Sequence, residues 1–280
     1  GESMSSVFSL LHENLQNSLA AKHWQPTPIQ QSAIPKIIQG KDRLLIAPTG
    51  SGKTLSAILP ILHRCIAEDW DPLSVLYITP LRALNRDVDR RLQEIAESVG
   101  LRVGLRHGDT TQSERAKQVR NPPDILVTTP ETFQLMFTGK NLRKLLCSVR
   151  AVIVDEVHDL AASERGWQLS IGLARLEALS GRTVQRIGLS ATVGNPQQVA
   201  EWLSDNGKAI IETGKRVTEI FVETEYPNSD DETGGVEYAI PSRAHAIFRK
   251  VISIIEQDAP CLLFVNSRSD AETIANRLQK

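Results

Sequence analysis

The stretch that decides the fold is RLLIAPTGSGKT, residues 43–54. Its first part, Arg43–Ala47, is an apolar run that predicts a buried strand, and a glycine-rich turn leads from it into an apolar helix predicted over Thr54–Glu68. A strand, a glycine-rich loop and a helix in this order are the context that a phosphate-binding loop requires. The glycines let the backbone curl so that its N–H groups face phosphate oxygens, and the helix N-terminus adds a favourable dipole.

The loop predicts a site for ATP and Mg²⁺. Lys53 would neutralise the β- and γ-phosphates, and Thr54 would offer its hydroxyl to Mg²⁺. The first position of the usual pattern is Ala47 instead of glycine, so a plain glycine-rich turn that ends in a lysine is the alternative, and the strand–loop–helix order disfavours it. The residues predicted to surround the phosphates with backbone N–H groups are Thr49, Gly50, Ser51 and Gly52.

A second apolar run ends in two acids. Ala151–Asp155 reads as a buried strand, and Glu156 follows it directly. Asp155 would hold Mg²⁺, directly or through water, and Glu156 would position and deprotonate the attacking water. An isolated Asp-Glu pair is common on protein surfaces, but this pair follows four apolar residues and lies downstream of a phosphate loop. Lys53, Asp155 and Glu156 are therefore the predicted catalytic residues.

The rest of the chain repeats the alternation of strand and helix, which predicts an α/β fold: a mostly parallel sheet with helices on both faces. Helical spacing of apolar residues recurs over Ala83–Val99 and Trp167–Leu179. The remaining predicted strands of this sheet are Ser74–Thr79, Arg102–Arg106, Asp124–Thr128, Gln185–Ser190 and Ala209–Glu212.

The C-terminal part predicts a second, incomplete domain. Tyr226–Tyr238 is rich in Asp, Glu, Gly and Pro and predicts an acidic loop or hairpin tip. A helix over Arg243–Gln257 and a strand over Cys261–Asn266 follow, with Thr218–Thr224 as a possible further strand, and these make too small a core for an α/β domain. The predicted organisation is an N-terminal expression remnant and helix at 1–26, a complete domain at 27–216 and the start of a second domain at 217–280.

Composition excludes several classes of protein. Of 280 residues, 41% are hydrophobic and 23% charged, which excludes disorder and fibrous structure. The 32 basic and 33 acidic residues nearly balance, so a polyanion would have to be met by a local patch or by helix N-termini. The three cysteines are far apart and predict no disulfide framework or zinc site. The longest uncharged apolar stretch, Thr54–Leu62, is far short of a membrane span, and we expect a cytoplasmic protein.

Together these features resemble a superfamily 2 helicase of the DExH kind. Within that superfamily, Asp155–Leu160 with the following Glu164–Gly166 and Gln168–Leu169 is similar to the Lhr (large helicase-related) group. The segments that resemble helicase motifs Q, I, Ia, Ib, II, III and IV are, in that order, Pro26–Gln30, Ala47–Thr54, Thr79–Leu84, Thr128–Glu131, Asp155–His158, Ser190–Thr192 and Leu263–Arg268.

The resemblance implies further roles. It implies a RecA-like domain followed by the start of a second one, with Gln30 reading the adenine and Trp24 as a possible contact to its ring. His158, Ser190 and Thr192 would couple the ATP site to the nucleic acid. The residues expected at the nucleic-acid backbone are Thr79, Arg82, Thr110 and Thr129, and Thr110 could equally serve as a helix cap.

The activity that the resemblance implies is ATP-driven translocation on single-stranded DNA, in the 3′ to 5′ direction, in DNA repair. An RNA helicase, or an ATP-gated binding or annealing module that does not unwind, stays open as an alternative. Motifs V and VI do not occur in the sequence. We therefore expect an N-terminal motor fragment that lacks the C-terminal domains of its protein and has little activity alone.

Overall fold

A computed structural model describes residues 6–84, 86–161, 163–191, 194–204 and 210–213, together with short helical stretches between 228 and 252. The chain divides into two compact units, Gly1–Val217 and Thr218–Lys280. Thr192 and the strands predicted over Thr218–Thr224 and Cys261–Asn266 lie outside the described residues.

The first unit is built on one sheet, which in the described residues has seven strands, all paired in parallel. The order across the sheet is β3-β4-β2-β5-β6-β1-β7. Each predicted strand of the sheet is found, with ends that differ by at most one residue, so the predicted α/β fold is confirmed. The strands are β1 (Arg43–Ile46), β2 (Val75–Ile78), β3 (Val103–Arg106), β4 (Ile125–Thr128), β5 (Ala151–Val154), β6 (Gln185–Ser190) and β7 (Ile210–Glu212).

Helices connect the strands, and side-chain caps fix where several of them begin. Thr111, Thr129, Ser163 and Asn195 each accept a hydrogen bond from a backbone N–H in the first turn of the helix that follows. Short 3₁₀ helices span Val7–Leu10 and Leu81–Ala83. The α-helices are α1 (Glu13–Ala21), α2 (Pro28–Ile38), α3 (Lys53–Ala67), α4 (Arg86–Glu97), α5 (Gln112–Arg120), α6 (Pro130–Met136), α7 (Lys140–Leu146), α8 (Val157–Leu160), α9 (Glu164–Ser180) and α10 (Pro196–Leu203).

The core has one apolar cluster on each face of the sheet. Successive side chains of a strand point to opposite faces, so Leu45 joins the cluster under α1 to α4 while Leu44 and Ile46 join the cluster under α6 to α10. Leu44 and Leu45 are both fully buried. Burial on both faces explains why these strands read as continuous apolar runs instead of alternating ones. No helix in the described parts of the chain is long and apolar enough to cross a membrane.

Two stretches differ from the sequence-based expectation. The predicted helix over Ala83–Val99 is divided into the 3₁₀ helix at Leu81–Ala83 and α4. The stretch Tyr226–Tyr238, predicted as an acidic loop or hairpin tip, is helical at residues 229–230 and 232–233. Glu232 N donates to Asn228 O at 3.0 Å, which closes a helical turn, and acidic residues are favourable near the start of a helix.

Gly166 is required where α9 begins, because a Cβ placed on it would lie 1.9 Å from the carbonyl oxygen of Leu160. We expect Gly166→Ala to lower the free energy of unfolding by about 2 kcal/mol, since backbone has to move to relieve the overlap. Gly194→Ala is the control, because a Cβ on Gly194 would meet nothing within 4 Å. Urea unfolding followed by circular dichroism measures both variants. Equal stability of the two variants would contradict the close approach at Gly166.

Candidate nucleotide and metal site

The candidate site residues lie at the edge of the sheet where the parallel strands end. Strand β6 lies between β1 and β5 and pairs with both. Ile46 at the end of β1 is in register with Ser190, and Val154 at the end of β5 is in register with Gly188. The phosphate loop and the acidic pair, which are more than 100 residues apart in the sequence, therefore follow strand ends separated by a single strand.

The phosphate loop takes the backbone conformation that its glycines allow. Gly50 and Gly52 have φ angles of 82° and 81°, in the left-handed region, and Gly52 is the N-cap of α3. A Cβ on Gly52 would lie 2.5 Å from Nε2 of Gln30, so a larger residue here would displace the Gln30 side chain. The Ser51 hydroxyl is buried and has no hydrogen-bond partner among the described residues. A loop with an unpaired buried hydroxyl next to a helix N-terminus fits a phosphate ligand.

Lys53 connects the phosphate loop with the neighbouring strand end. Its ammonium donates to the carbonyl oxygens of Ala47, at 2.9 Å, and Ser190, at 3.1 Å. Burial lowers the pKa of Lys53, and the nearby carboxylates of Asp155 and Glu156 oppose that shift. The cation is thus held at the junction of β1 and β6, on the side where the acidic pair lies.

Asp155 is held by several donors at once. The Tyr77 hydroxyl donates to Oδ2 at 2.9 Å, and Thr79 Oγ1 lies 3.5 Å from the same oxygen. The backbone N–H of Glu156 donates to Oδ1 at 2.8 Å. Burial raises the pKa of Asp155, and the hydrogen bonds from Tyr77 and from the Glu156 backbone oppose that shift. A buried carboxylate oriented in this way, close to Lys53, fits the predicted role of a Mg²⁺ ligand.

Glu156 stands in a tight turn and is paired with a cation. Its φ of 49° lies in the left-handed region, which is uncommon for a residue other than glycine and is typical of functional sites. Arg82 Nη2 contacts Glu156 Oε2 at 2.7 Å and also contacts the carboxylate of Asp159. The Arg82 side chain is 67% exposed, so the pair lies at the surface. The residue predicted to meet nucleic-acid phosphate is therefore in contact with the predicted catalytic base.

A cavity of about 640 Å³ opens beside the phosphate loop. Gln30 lies next to it and joins α2 to the loop, because Nε2 donates to Gly52 O at 3.2 Å and Oε1 accepts from Thr27 N at 2.9 Å. Trp24 does not line this cavity: its ring lies under Lys22 and Arg91, whose cations are 5.2 Å and 5.9 Å from the ring centroid. The residues that line the cavity are Pro26, Thr27, Pro28, Ile29, Ala47, Pro48, Thr49, Gly50, Ser51 and Thr213.

The segments predicted to couple the ATP site to the nucleic acid are linked by a hydrogen bond from a backbone N–H to His158. The N–H of Ala191 donates to Nδ1 of His158 at 3.2 Å, so β5 and β6 are linked just beyond their ends. The hydroxyl of Ser190, also predicted to take part in the coupling, donates to Ala191 O at 2.7 Å and forms no hydrogen bond with His158. Thr192, predicted to take part in the same coupling, lies outside the described residues.

The threonines predicted to contact nucleic acid have partners within the protein. Thr79 and Thr129 are 2% and 4% exposed. Thr129 caps α6 through hydrogen bonds with Thr132, and Thr79 Oγ1 points to Asp155. Thr110 Oγ1 accepts from His107 N at 3.0 Å and so closes the turn after β3. These hydroxyls fix the strand ends, and in this structure the exposed member of the predicted set is Arg82.

Sequence reasoning missed three residues at the site. Tyr77 reads as one more apolar strand residue, Asp159 as a polar residue of α8, and Thr213 as the residue after the last predicted strand of the sheet. The signal that could have found Tyr77 is its position two residues before Thr79, which puts both side chains on one face of the predicted strand Ser74–Thr79. Thr213 is identified once β7 is paired with β1.

Comparison with known proteins gives consistent results. Residues 27–200 match the DEAD/DEAH box helicase family. The chain is 38% identical over 270 residues to a Lhr helicase/probable uracil glycosylase of Mycolicibacterium smegmatis, covering 91% of this chain and 18% of that protein. It is 35% identical over 295 residues to ATP-dependent helicase Lhr-Core protein 2 of Thermococcus barophilus, covering 98% of this chain and 34% of that protein. The chain thus spans well under half the length of these relatives.

A solved structure is also similar. It is that of the Mycobacterium smegmatis helicase Lhr bound to ssDNA and AMP-PNP, with a TM-score of 0.68 and 36% sequence identity. The similarity covers 98% of this chain and 36% of that chain. The RecA-like helicase fold expected from the sequence motifs is thereby confirmed.

Lys53→Ala removes the cation of the phosphate loop. We expect a loss of at least about tenfold in affinity for a fluorescent ATP analogue in the presence of Mg²⁺, because no other group of the loop carries a full positive charge. Fluorescence titration measures the affinity. Lys36→Ala is the control, because Lys36 lies on the exposed side of α2. Equal affinity of the two variants would show that the loop does not bind phosphate.

Proposed function

The chain belongs to the DEAD/DEAH box helicase family, and we propose that its first unit binds Mg·ATP at the sheet edge as part of a DNA helicase motor. The observation that carries this proposal is the convergence of the phosphate loop, Lys53 and the Asp155–Glu156 pair on neighbouring strand ends. The cavity beside the loop offers space for the nucleoside part of the ligand.

The roles of the individual residues follow from their positions. The backbone N–H groups of residues 50–54 and the Lys53 ammonium would bind the phosphates, and Gln30, which bonds Thr27 and Gly52 behind the cavity lining, would meet the adenine. Thr54 and Asp155 would hold Mg²⁺, which when bound neutralises phosphate charge and fixes the phosphates in one geometry. The residues fit the ion because one supplies a hydroxyl oxygen and the other an oriented carboxylate.

Glu156 is proposed as the base that orients and deprotonates the attacking water. Its left-handed backbone makes a turn out of β5, and its backbone N–H bonds the carboxylate of Asp155. One oxygen of the Glu156 carboxylate is bonded to Arg82, and the other oxygen remains to accept a proton from water. A nucleic-acid phosphate that binds the exposed Arg82 would compete with Glu156 for that cation.

We propose single-stranded DNA as the nucleic acid and 3′ to 5′ as the direction. Support comes from the similarity to the Lhr proteins, one of which has been solved with ssDNA and AMP-PNP. Anisotropy titrations with single-stranded DNA and RNA of one sequence, with and without Mg·AMP-PNP, test the substrate. Tighter binding of DNA is the expected result, and tighter binding of RNA contradicts it.

The direction and the unwinding step need a second experiment with the full-length protein, because we expect this chain alone to have little activity. Duplexes with a 3′ or a 5′ single-stranded tail are incubated with that protein and Mg·ATP, and strand separation is followed by fluorescence. Separation that starts from the 3′ tail supports the proposal, and separation from the 5′ tail contradicts it. ATP-dependent binding or annealing without separation favours a module that does not unwind, which is the competing function.

Glu156→Gln keeps the shape of the side chain and removes its basicity. We expect the variant of the full-length protein to bind Mg·ATP within about twofold of the unaltered protein and to hydrolyse it at least about 100-fold more slowly. Single-turnover hydrolysis with protein in excess over ATP measures the rate. Glu201→Gln, on the exposed side of α10, is the control and should hydrolyse normally. A loss of nucleotide binding in Glu156→Gln would assign Glu156 a structural role.

Arg82→Ala removes the exposed cation next to Glu156. We expect weaker binding of single-stranded DNA for all sequences alike, and a shallower dependence of affinity on salt, because a phosphate contact releases counterions and reads no base. Arg182→Ala is the control, since Arg182 precedes β6 and so lies at the opposite edge of the sheet. If the salt dependence of DNA binding is unchanged in Arg82→Ala, then Arg82 does not contact nucleic-acid phosphate and serves only its contacts with Glu156 and Asp159.

A further inference from the structure

Tyr77 carries a hydroxyl into the otherwise apolar interior below the candidate metal site. It lies on β2, whose neighbouring residues Val75, Leu76 and Ile78 are apolar and buried, and its own side chain is 3% exposed. A phenolic O–H that is buried costs free energy unless it finds a partner. The Tyr77 hydroxyl therefore needs a hydrogen-bond acceptor within the protein.

The hydrogen-bond acceptor of the Tyr77 hydroxyl is Asp155. The hydroxyl donates to Oδ2 at 2.9 Å, while the other carboxylate oxygen accepts from the Glu156 backbone. Thr79 lies farther from Oδ2, at 3.5 Å. Tyr77 is therefore the closest side-chain donor to this carboxylate, and together with the Glu156 N–H it fixes the plane of the carboxyl group. A carboxylate has about four lone-pair positions, so two donors leave room for a cation.

The Thr54 side chain lies near the same hydroxyl. Thr54 is the second residue of α3 and belongs to the phosphate loop, while Asp155 follows β5. One buried hydroxyl thus bonds one of the two side chains that the proposed Mg²⁺ site uses and lies near the other. The two side chains come from segments that are far apart in the sequence, and Tyr77 lies on a third.

We propose that Tyr77 is a positioning residue for the metal ion, which it serves by holding Asp155 in the orientation that binds Mg²⁺ together with Thr54. This inference rests on the proposed Mg·ATP site. Tyr77 itself is not assigned a contact with ion or nucleotide; it acts through Asp155. In other proteins, altering a residue that hydrogen-bonds a metal ligand changes the metal affinity by about 10- to 100-fold.

Tyr77→Phe tests the proposal, because phenylalanine keeps the ring and removes the hydroxyl. The binding of mant-ATP to the full 280-residue chain is measured by fluorescence at increasing Mg²⁺, and again in EDTA without metal. We expect the Mg²⁺ concentration for half-maximal binding to rise about tenfold. The affinity measured in EDTA should stay within about twofold, since phosphate contacts of the loop do not involve Tyr77.

Ser74→Ala is the matched control. Ser74 immediately precedes the same strand, is 1% exposed, and its hydroxyl lies 3.6 Å from Cys65 Sγ. This variant also loses a buried hydroxyl, but at the opposite end of β2 from the site. We expect its Mg²⁺ dependence to equal that of the unaltered chain. Thermal melts of both variants show whether the fold is kept.

Three results would overturn the proposal. The first is an unchanged Mg²⁺ requirement in Tyr77→Phe, and the second is an equal loss of affinity with and without metal. The third is a Tyr77→Phe chain that no longer folds, because the hydroxyl would then support the fold and not the metal. Failure of the proposed function is seen separately, as an unaltered chain whose binding of mant-ATP does not depend on Mg²⁺.

Discussion

Strand β6 pairs in parallel with β1 on one side and with β5 on the other, and this places three chemically different segments at one edge. Lys53 shows the consequence most directly, because its ammonium is shared between the carbonyl oxygens of Ala47 and Ser190. Antiparallel strands would send alternate ends to opposite edges and separate these groups. A parallel sheet requires crossover connections, which here are helices, and these helices bury both of its faces. The apolar strands, the helices and the position of the site all follow from the parallel pairing of the strands.

Burial acts against the charges that the site brings together. It lowers the pKa of Lys53 and raises that of Asp155, and the two groups partly offset this by their opposite charges. Triphosphate and Mg²⁺ would add further counter-charges. At the surface, Arg82 bonds Glu156, so the predicted nucleic-acid contact and the proposed base share one ion pair. In the proposed function, competition of a phosphate for Arg82 would connect strand binding with hydrolysis.

Much of this arrangement could be predicted from the sequence, because buried parallel strands and a phosphate loop have strong local patterns. All seven strands of the sheet were predicted within a residue of their ends, and the helicase resemblance, including that to the Lhr group, is confirmed by the relatives. Side-chain partners could not be predicted in this way. Thr129 is a helix cap, Trp24 lies under Lys22 and Arg91, and Tyr77 looks like any apolar strand residue until β2 is placed beside β5. Such pairings depend on strand order and on rotamers, which local patterns do not encode.

A crystal structure of the chain with Mg·AMP-PNP tests the central claim most directly, because it locates the nucleotide and the ion together. We expect phosphates against the backbone N–H groups of residues 50–54, the Lys53 ammonium turned from Ser190 O toward phosphate, and Mg²⁺ near Thr54 and Asp155. The adenine would lie in the cavity lined by Pro26 and Thr213. A nucleotide bound elsewhere, or phosphates at the loop with the ion remote from Asp155, would contradict that claim.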